Sequence, residues 1–273
     1  MRHVLIALLL VISSHTYSQE LFIATEPASN MPKGSVGLRA AIESSFMDDV
    51  VRTRSQLEVM YGLSKEIMLH GELYASDHLG TYAFENAGVY AKYRFFTDDD
   101  FKYHFRSALY GKALFGSQKG VSPLVGLDGA SPGYGGGIIS TLLIDHFAVS
   151  ATLGAVAGIP DISNEEHVAY HNITNYNYSL SAGYLVYPAE YTSYSDPNFN
   201  IYAEVLGKYG SYNVVEHDVV SPGSANEIVL SVGPQVILNS IARIDLAFKT
   251  TLLSNAPHRS SNAVYLKFER LFY

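Results

Sequence analysis

The sequence predicts an all-β fold, an antiparallel up-and-down transmembrane β-barrel of about twelve strands, on three observations. Twelve stretches between Val36 and Tyr273 alternate apolar and polar residues, an apolar leader precedes them, and the connections between them alternate short and long. Single-chain bacterial barrels have an even strand number, short periplasmic turns and longer outer loops. A soluble sandwich also has period-two strands, but seldom together with a secretory leader and a last strand running into Phe272-Tyr273.

The leader carries Arg2 and His3, an apolar run from Val4 to Ile12, and small residues at Thr16 and Ser18. This is the pattern of a signal peptide over residues 1–18, cut before Gln19, with an apolar core too short to span a bilayer as a helix. Residues 19–33, with Pro27, Asn30 and Pro32, do not alternate and are expected to form an N-terminal periplasmic segment, either a strap or partial plug or a disordered terminus. Residues 34–273 show no linker or shift in composition and are expected to form one barrel domain.

Strand by strand, Gly34 to Phe46 sets Val36, Leu38, Ala40 and Ile42 against Gly37, Arg39, Ala41 and Glu43. The second strand sets Leu57, Val59, Tyr61 and Leu63 against Arg54, Gln56, Glu58 and Met60. The third, Ile67 to Ser76, sets Leu69, Gly71 and Leu73 against His70, Glu72 and Tyr74. Nine more stretches follow: Ala87–Phe96, Lys102–Phe115, Tyr134–Ile144, Phe147–Ile159, Tyr176–Tyr187, Phe199–Tyr209, Glu227–Leu238, Ala242–Leu253 and Asn262–Tyr273. Asp77–Asn86, Gly116–Gly133, Pro160–Asn175, Ser211–Asn226 and Ser254–Ser261 are the expected long loops. In a lipid-embedded barrel the apolar face of each strand points outward and the polar face lines the lumen.

Composition narrows the function. The chain has no cysteine, which excludes a lipid-anchored lipoprotein and a disulfide scaffold. Its net charge of −8, with acids gathered at Asp48-Asp49, Asp98-Asp99-Asp100 and Glu165-Glu166, argues against a nucleic-acid partner. With no tryptophan, an interfacial aromatic belt must come from the 21 Tyr and 13 Phe. The expected environment is the outer-membrane lipid of a Gram-negative bacterium.

The hairpin Tyr61-Gly62-Leu63-Ser64-Lys65-Glu66-Ile67-Met68-Leu69 resembles the second hairpin of the outer-membrane transporters of the MetA-pathway-of-phenol-degradation family. The last strand, with Phe268, Phe272 and Tyr273, is similar to the assembly signal by which the barrel-assembly machinery recognises its clients. The resemblance implies a barrel of about twelve strands and a transport role, and names no solute.

The inward faces carry the functional reading. Their bases are Arg39, Arg54, Lys92, Arg94, His104, Arg106, Lys112, Lys208, Arg243, Lys249 and Lys267; their acids are Glu43, Glu58, Glu72, Glu204, Asp245 and Glu269. The leading expectation is a channel or transporter passing small solutes through a narrow, basic-leaning lumen, since rings of Arg and Lys favour anions. The alternative is a structural or interaction barrel whose facing charges pair and close the interior. Twelve strands lie between barrels filled by their own side chains and those with open channels.

No cofactor is expected. Glu165-Glu166-His167 with His171 has a metal-like spacing but falls in an expected loop, and Asp98-Asp99-Asp100 lacks the spaced ligands of a calcium loop. Neither is assigned a metal. His78, His217 and Ser221 are loop residues with no Gly-x-Ser-x-Gly context, so an outer-membrane enzyme is the third reading. Gly133-Tyr134-Gly135-Gly136-Gly137 precedes a strand rather than a helix and is assigned to barrel curvature.

Overall fold

The computed structural model describes residues 22–47, 50–78, 80–116, 124–159, 168–190, 193, 195–216, 219–256 and 262–273. The leader, residues 19–21, Asp48-Asp49, Glu165-Glu166-His167 and His217 lie outside them. The strands are β1 (Val36–Met47), β2 (Val50–Gly62), β3 (Ile67–Ser76), β4 (Ala83–Asp100), β5 (Tyr103–Gly116) and β6 (Gly133–Ile144). They continue as β7 (Phe147–Gly158), β8 (Val168–Tyr187), β9 (Asn198–Glu216), β10 (Val219–Leu238), β11 (Ala242–Ser254) and β12 (Asn262–Phe272). Each pairs antiparallel with its sequence neighbours, and β1 pairs with β12 from Val36↔Phe272 to Phe46↔Asn262, closing the barrel.

Closure satisfies every ladder without a free edge at membrane depth. Alternation then sorts the faces: Val36, Leu38, Ile42, Leu57, Val59, Leu69, Leu73 and Leu246 are exposed, whereas Arg39, Glu58, His70, Glu72, Lys92, Glu204 and Glu269 are buried. In water this would be inside out; in lipid the exposed apolar band is the solvated surface. Turns of two or three residues make part of one rim, and in the turn joining β10 to β11 Asn239 and Ser240 both take positive φ (51° and 57°), the geometry that matches strand twist.

Four expectations are revised, the first being Pro160–Asn175, read as a loop: β8 begins at Val168, so His171 lies on a strand in register with Asn213. Ser211–Asn226, read as a loop, is mostly strand, with β9 and β10 paired out to Glu216↔Val219. β10 meets β11 only from Glu227 onward, so Pro222 has no strand on its other side and its missing N–H costs no ladder bond. Thr97-Asp98-Asp99-Asp100, whose run of acids is expected from the sequence to be a tight turn, instead ends β4, and the turn falls on Phe101-Lys102. Finally, β4 starts earlier than Ala87: Tyr74 pairs with Asn86 but Ala75 with Phe84, so Glu85 is an extra bulge residue.

Two non-strand segments fill the barrel. Residues 22–33 of the expected periplasmic segment, followed by Gly34 and Ser35, which are expected from the sequence in the first strand, pass inside from the short-turn rim, where Gly34 N–H donates to Gly62 O at 2.7 Å. Phe22 and Ile23 pack there with Leu143, Ala148, Tyr202 and Ala247. From the opposite rim, residues 124–131 of the β5–β6 connection fold inward, and Val125 and Leu127 pack with Tyr74, Leu114, Val156 and Ile173.

Candidate functional site: a lumenal chamber between two plugs

The inner strap is held by its main chain. Glu204 on β9 accepts from the backbone N–H groups of Ile23 (3.0 Å), Ala24 (2.7 Å) and Thr25 (3.0 Å), as well as from the Thr25 hydroxyl. Lys267 Nζ donates to the carbonyl oxygens of Phe22 (3.2 Å) and Ile23 (2.5 Å), and Lys92 Nζ to those of Pro27 (2.6 Å) and Ser29 (2.7 Å). A buried ammonium or carboxylate is costly unless its hydrogen-bonding capacity is used, and the strap supplies partners to all three.

Above the strap, in-register charges circle the wall. Arg39 faces Glu58 on one neighbouring strand and Glu269 on the other, contacts them at 2.9 and 2.8 Å, and reaches Glu26 of the strap at 2.6 Å. Glu269 in turn takes Arg243 at 2.7 Å, while Lys267 contacts Asp245 at 2.9 Å. Burial pushes the Glu26 carboxyl upward, but the fields of Arg39, then Lys92 and His70, more than reverse this and hold it well below its ordinary 4.5.

The inward loop is keyed to the opposite wall. Asn86 Nδ2 donates to Gly129 O at 2.6 Å, and Lys208 Nζ contacts Asp128 Oδ2 at 2.6 Å. A Cβ on Gly129, whose φ is +95°, would lie 2.2 Å from the Tyr74 ring, so only glycine permits this seat. Leu127 beside it takes φ 55°, a region bulky residues avoid, and is nonetheless buried. Strain of this kind persists only where surrounding contacts over-determine the backbone.

Between strap and loop lies a cavity of about 1060 Å³, lined by charged residues including Arg54, Glu58, Glu72 and Lys112 and by the rings of Tyr74, Tyr90, Tyr110, Tyr178 and Tyr265. Of the residues singled out in the sequence, Arg39, Glu43, Arg54, Glu58, Glu72, Lys112, Lys208, Lys249 and Lys267 line it. Lys92, Glu204, Arg243, Asp245 and Glu269 are buried in the interior network beside the strap. His104 and Arg106 meet Asp99 at 3.0 and 2.9 Å where β4 and β5 approach their turn, and Arg94 donates to Lys65 O at 2.9 Å. Phe268 and Phe272 are exposed on the outer face of β12, followed by exposed Tyr273.

The basic lean read from strand faces is offset by acids that reading omitted. Glu26 comes from the strap, Asp128 from the loop, Asp99 from a strand end read as a turn, and Glu85, which binds Arg54 at 2.8 Å, from the bulge. Lys112 is paired with Glu72 at 2.7 Å and Lys249 with Glu43. The wall charges are therefore largely neutralised in pairs.

Closed twelve-stranded barrel, apolar outer band and plugged polar lumen together define the transmembrane β-barrel class. The structure is similar to the COG4313 outer membrane channel from Pseudomonas putida F1, with a TM-score of 0.68 and 12% identity over 92% of this chain and 100% of that one. Weaker likenesses are the β domain of the Bordetella autotransporter BrkA (TM-score 0.42, 12% identity, 88% of this chain and 100% of that one) and LpxR from Salmonella typhimurium (0.39, 9%, 87% and 99%). No family model and no curated protein matches the chain.

Proposed function

We propose that this protein is an outer-membrane channel for small solutes, of the same kind as the Pseudomonas putida barrel whose fold it shares, with the inner strap and the inward loop as its two constrictions. The observation that carries this reading is the chamber of about 1060 Å³ between two segments that are hydrogen-bonded into the lumen rather than continuous with its wall. A barrel serving only as a rigid scaffold gains nothing from a polar cavity of that size. Paired charges and tyrosine hydroxyls can exchange partners with a polar solute, while the rings offer it apolar contact.

In this reading the short turns face the periplasm and the loop enters from outside. Neutralised walls make the passage weakly selective for ion sign. The test is efflux of small solutes from liposomes carrying the purified protein; release no faster than from empty liposomes defeats the channel reading.

A second reading, a closed structural or interaction barrel, is favoured by the burial of Lys92, Lys267 and Glu204 against the strap. It requires the strap to remain in place under all conditions, which the experiments below address. A catalytic role is a different reading again, reported by lipid turnover with the pure protein.

A further inference from the structure

The β2–β3 wall of the chamber carries a group that solute passage does not require. Glu58 and Glu72 face one another in register, and His70 lies two residues before Glu72 on the same inward face. One ligand atom from each residue lies within 4.8 Å of those of the other two, and all three side chains are buried. Two carboxylates directly opposed are mutually repulsive unless a cation stands between or beside them.

Nearby cations are present, but they occupy one oxygen of each acid. Arg39 NH1 and Gln56 Nε2 donate to Oε2 of Glu58 at 2.9 and 3.4 Å. Tyr74 OH and Lys112 Nζ approach Oε2 of Glu72 at 2.7 Å each. Oε1 of Glu58 is met by Nδ1 of His70. If the imidazole is neutral, this contact places its proton on Nδ1 and leaves a bare lone pair on Nε2.

That Nε2 atom is buried and has no hydrogen-bond partner among the described residues. An imidazole oriented by a carboxylate through one nitrogen and bare at the other is the usual setting of a metal-ligating histidine. Tyr90, in register with His70 on β4 with its ring tilted 37° and centred 4.6 Å away, also ends in a buried hydroxyl without a partner among the described residues.

We propose that Glu58, His70 and Glu72 form a binding site for a divalent transition-metal ion of borderline softness, such as zinc. His70 is the nitrogen ligand through Nε2 and Glu72 the oxygen ligand, with Glu58 orienting the imidazole through Nδ1. Mixed nitrogen and carboxylate ligation, with Glu58 behind the imidazole and all three groups lining the chamber, suits zinc with its remaining positions open to a solute or water. Arg39 and Lys112, on the outer oxygens, fix the carboxylates and temper the affinity.

The experiment uses untagged protein purified in detergent, stripped with chelator and dialysed against micromolar zinc, followed by elemental analysis. About one zinc per chain is expected for the wild type, with His70→Ala and Glu72→Gln each weakening retention by about tenfold or more while keeping heat-modifiable migration. Zinc at background in folded wild type, or full retention by folded His70→Ala, overturns the proposal. Should either variant fail to fold, cobalt(II) added to the wild type decides: visible bands of a nitrogen-ligated, low-coordinate ion are expected, and the spectrum of the aqueous ion overturns the site.

Discussion

Glu204 Oε1 accepts a hydrogen bond at 3.0 Å from the backbone N–H of Ile23, a residue 181 positions earlier, and the same carboxylate takes the next two N–H groups as well. One acid thereby anchors residues 23–25 of the strap to β9. Glu204→Ala leaves those donors without their acceptor, at about 1–3 kcal/mol for each that stays buried and unpaired. The strap is therefore expected to detach while the barrel persists: limited proteolysis should cut near residues 22–31 in the variant only, with heat-modifiable migration unchanged. Equal resistance of both proteins would show that Glu204 does not hold the strap.

The loop latch is a weaker device. The side chains of Lys208 and Asp128 are 25% and 45% exposed, so Lys208→Gln is expected to cost no more than about 1 kcal/mol. Its effect should appear in solute size instead, with faster liposome uptake of larger sugars than through the wild type. Unchanged uptake across sizes would mean that the loop is no constriction.

Outward and inward positions should respond oppositely to charge. Val59 and Leu246, each nearly half exposed on the apolar band, are expected to lose about 2–4 kcal/mol of stability on substitution by arginine. Gln56→Arg, on the inward face, should cost less in a urea titration of folding into vesicles. A larger loss for Gln56→Arg would reverse the assignment of faces.

Acid should loosen both plugs. The Glu26 carboxyl is held well below 4.5, as described above; for Asp128, burial raises the value and the fields of Lys208, then Arg54, overcome it, leaving the carboxyl well below 3.8. Because the folded values are depressed, the stability these groups contribute is fully present above their unfolded pKa values and is lost as pH falls through the folded ones. Conductance is expected to be flat from about pH 5 to 8 and to rise below about pH 4. A rise confined to the alkaline side would contradict the assignment.

The barrel was legible in the sequence because one face of each strand meets lipid and period two survives almost throughout. Legibility ended where the period breaks. Glu85 sits at a bulge that shifts Ala75 onto Phe84, so both Glu85 and Asn86 point inward, which no alternation pattern conveys. Phe95 and Phe96 at the Arg94/Phe96 bulge are both outward for the same reason. Glu26 and Asp128 belong to segments with no periodicity, and only tertiary contacts bring them to Arg39 and Lys208. Each omitted acid neutralises a base that the strand pattern did reveal, so the partial reading gave the lumen a positive lean.

The strap's place in the conduction path can be tested directly, because the native chain has no cysteine and the hydroxyls of Thr25 and Ser181 lie 2.8 Å apart. Thr25→Cys with Ser181→Cys places two thiols where a disulfide can lock the strap to β8. In single-channel recordings from planar bilayers, the account expects small conductance steps for the wild type, their suppression in the oxidised double variant, and their return with reductant. Identical steps in the locked and reduced states would contradict it, and folded wild type with no conductance at any pH would leave the structural barrel as the better reading.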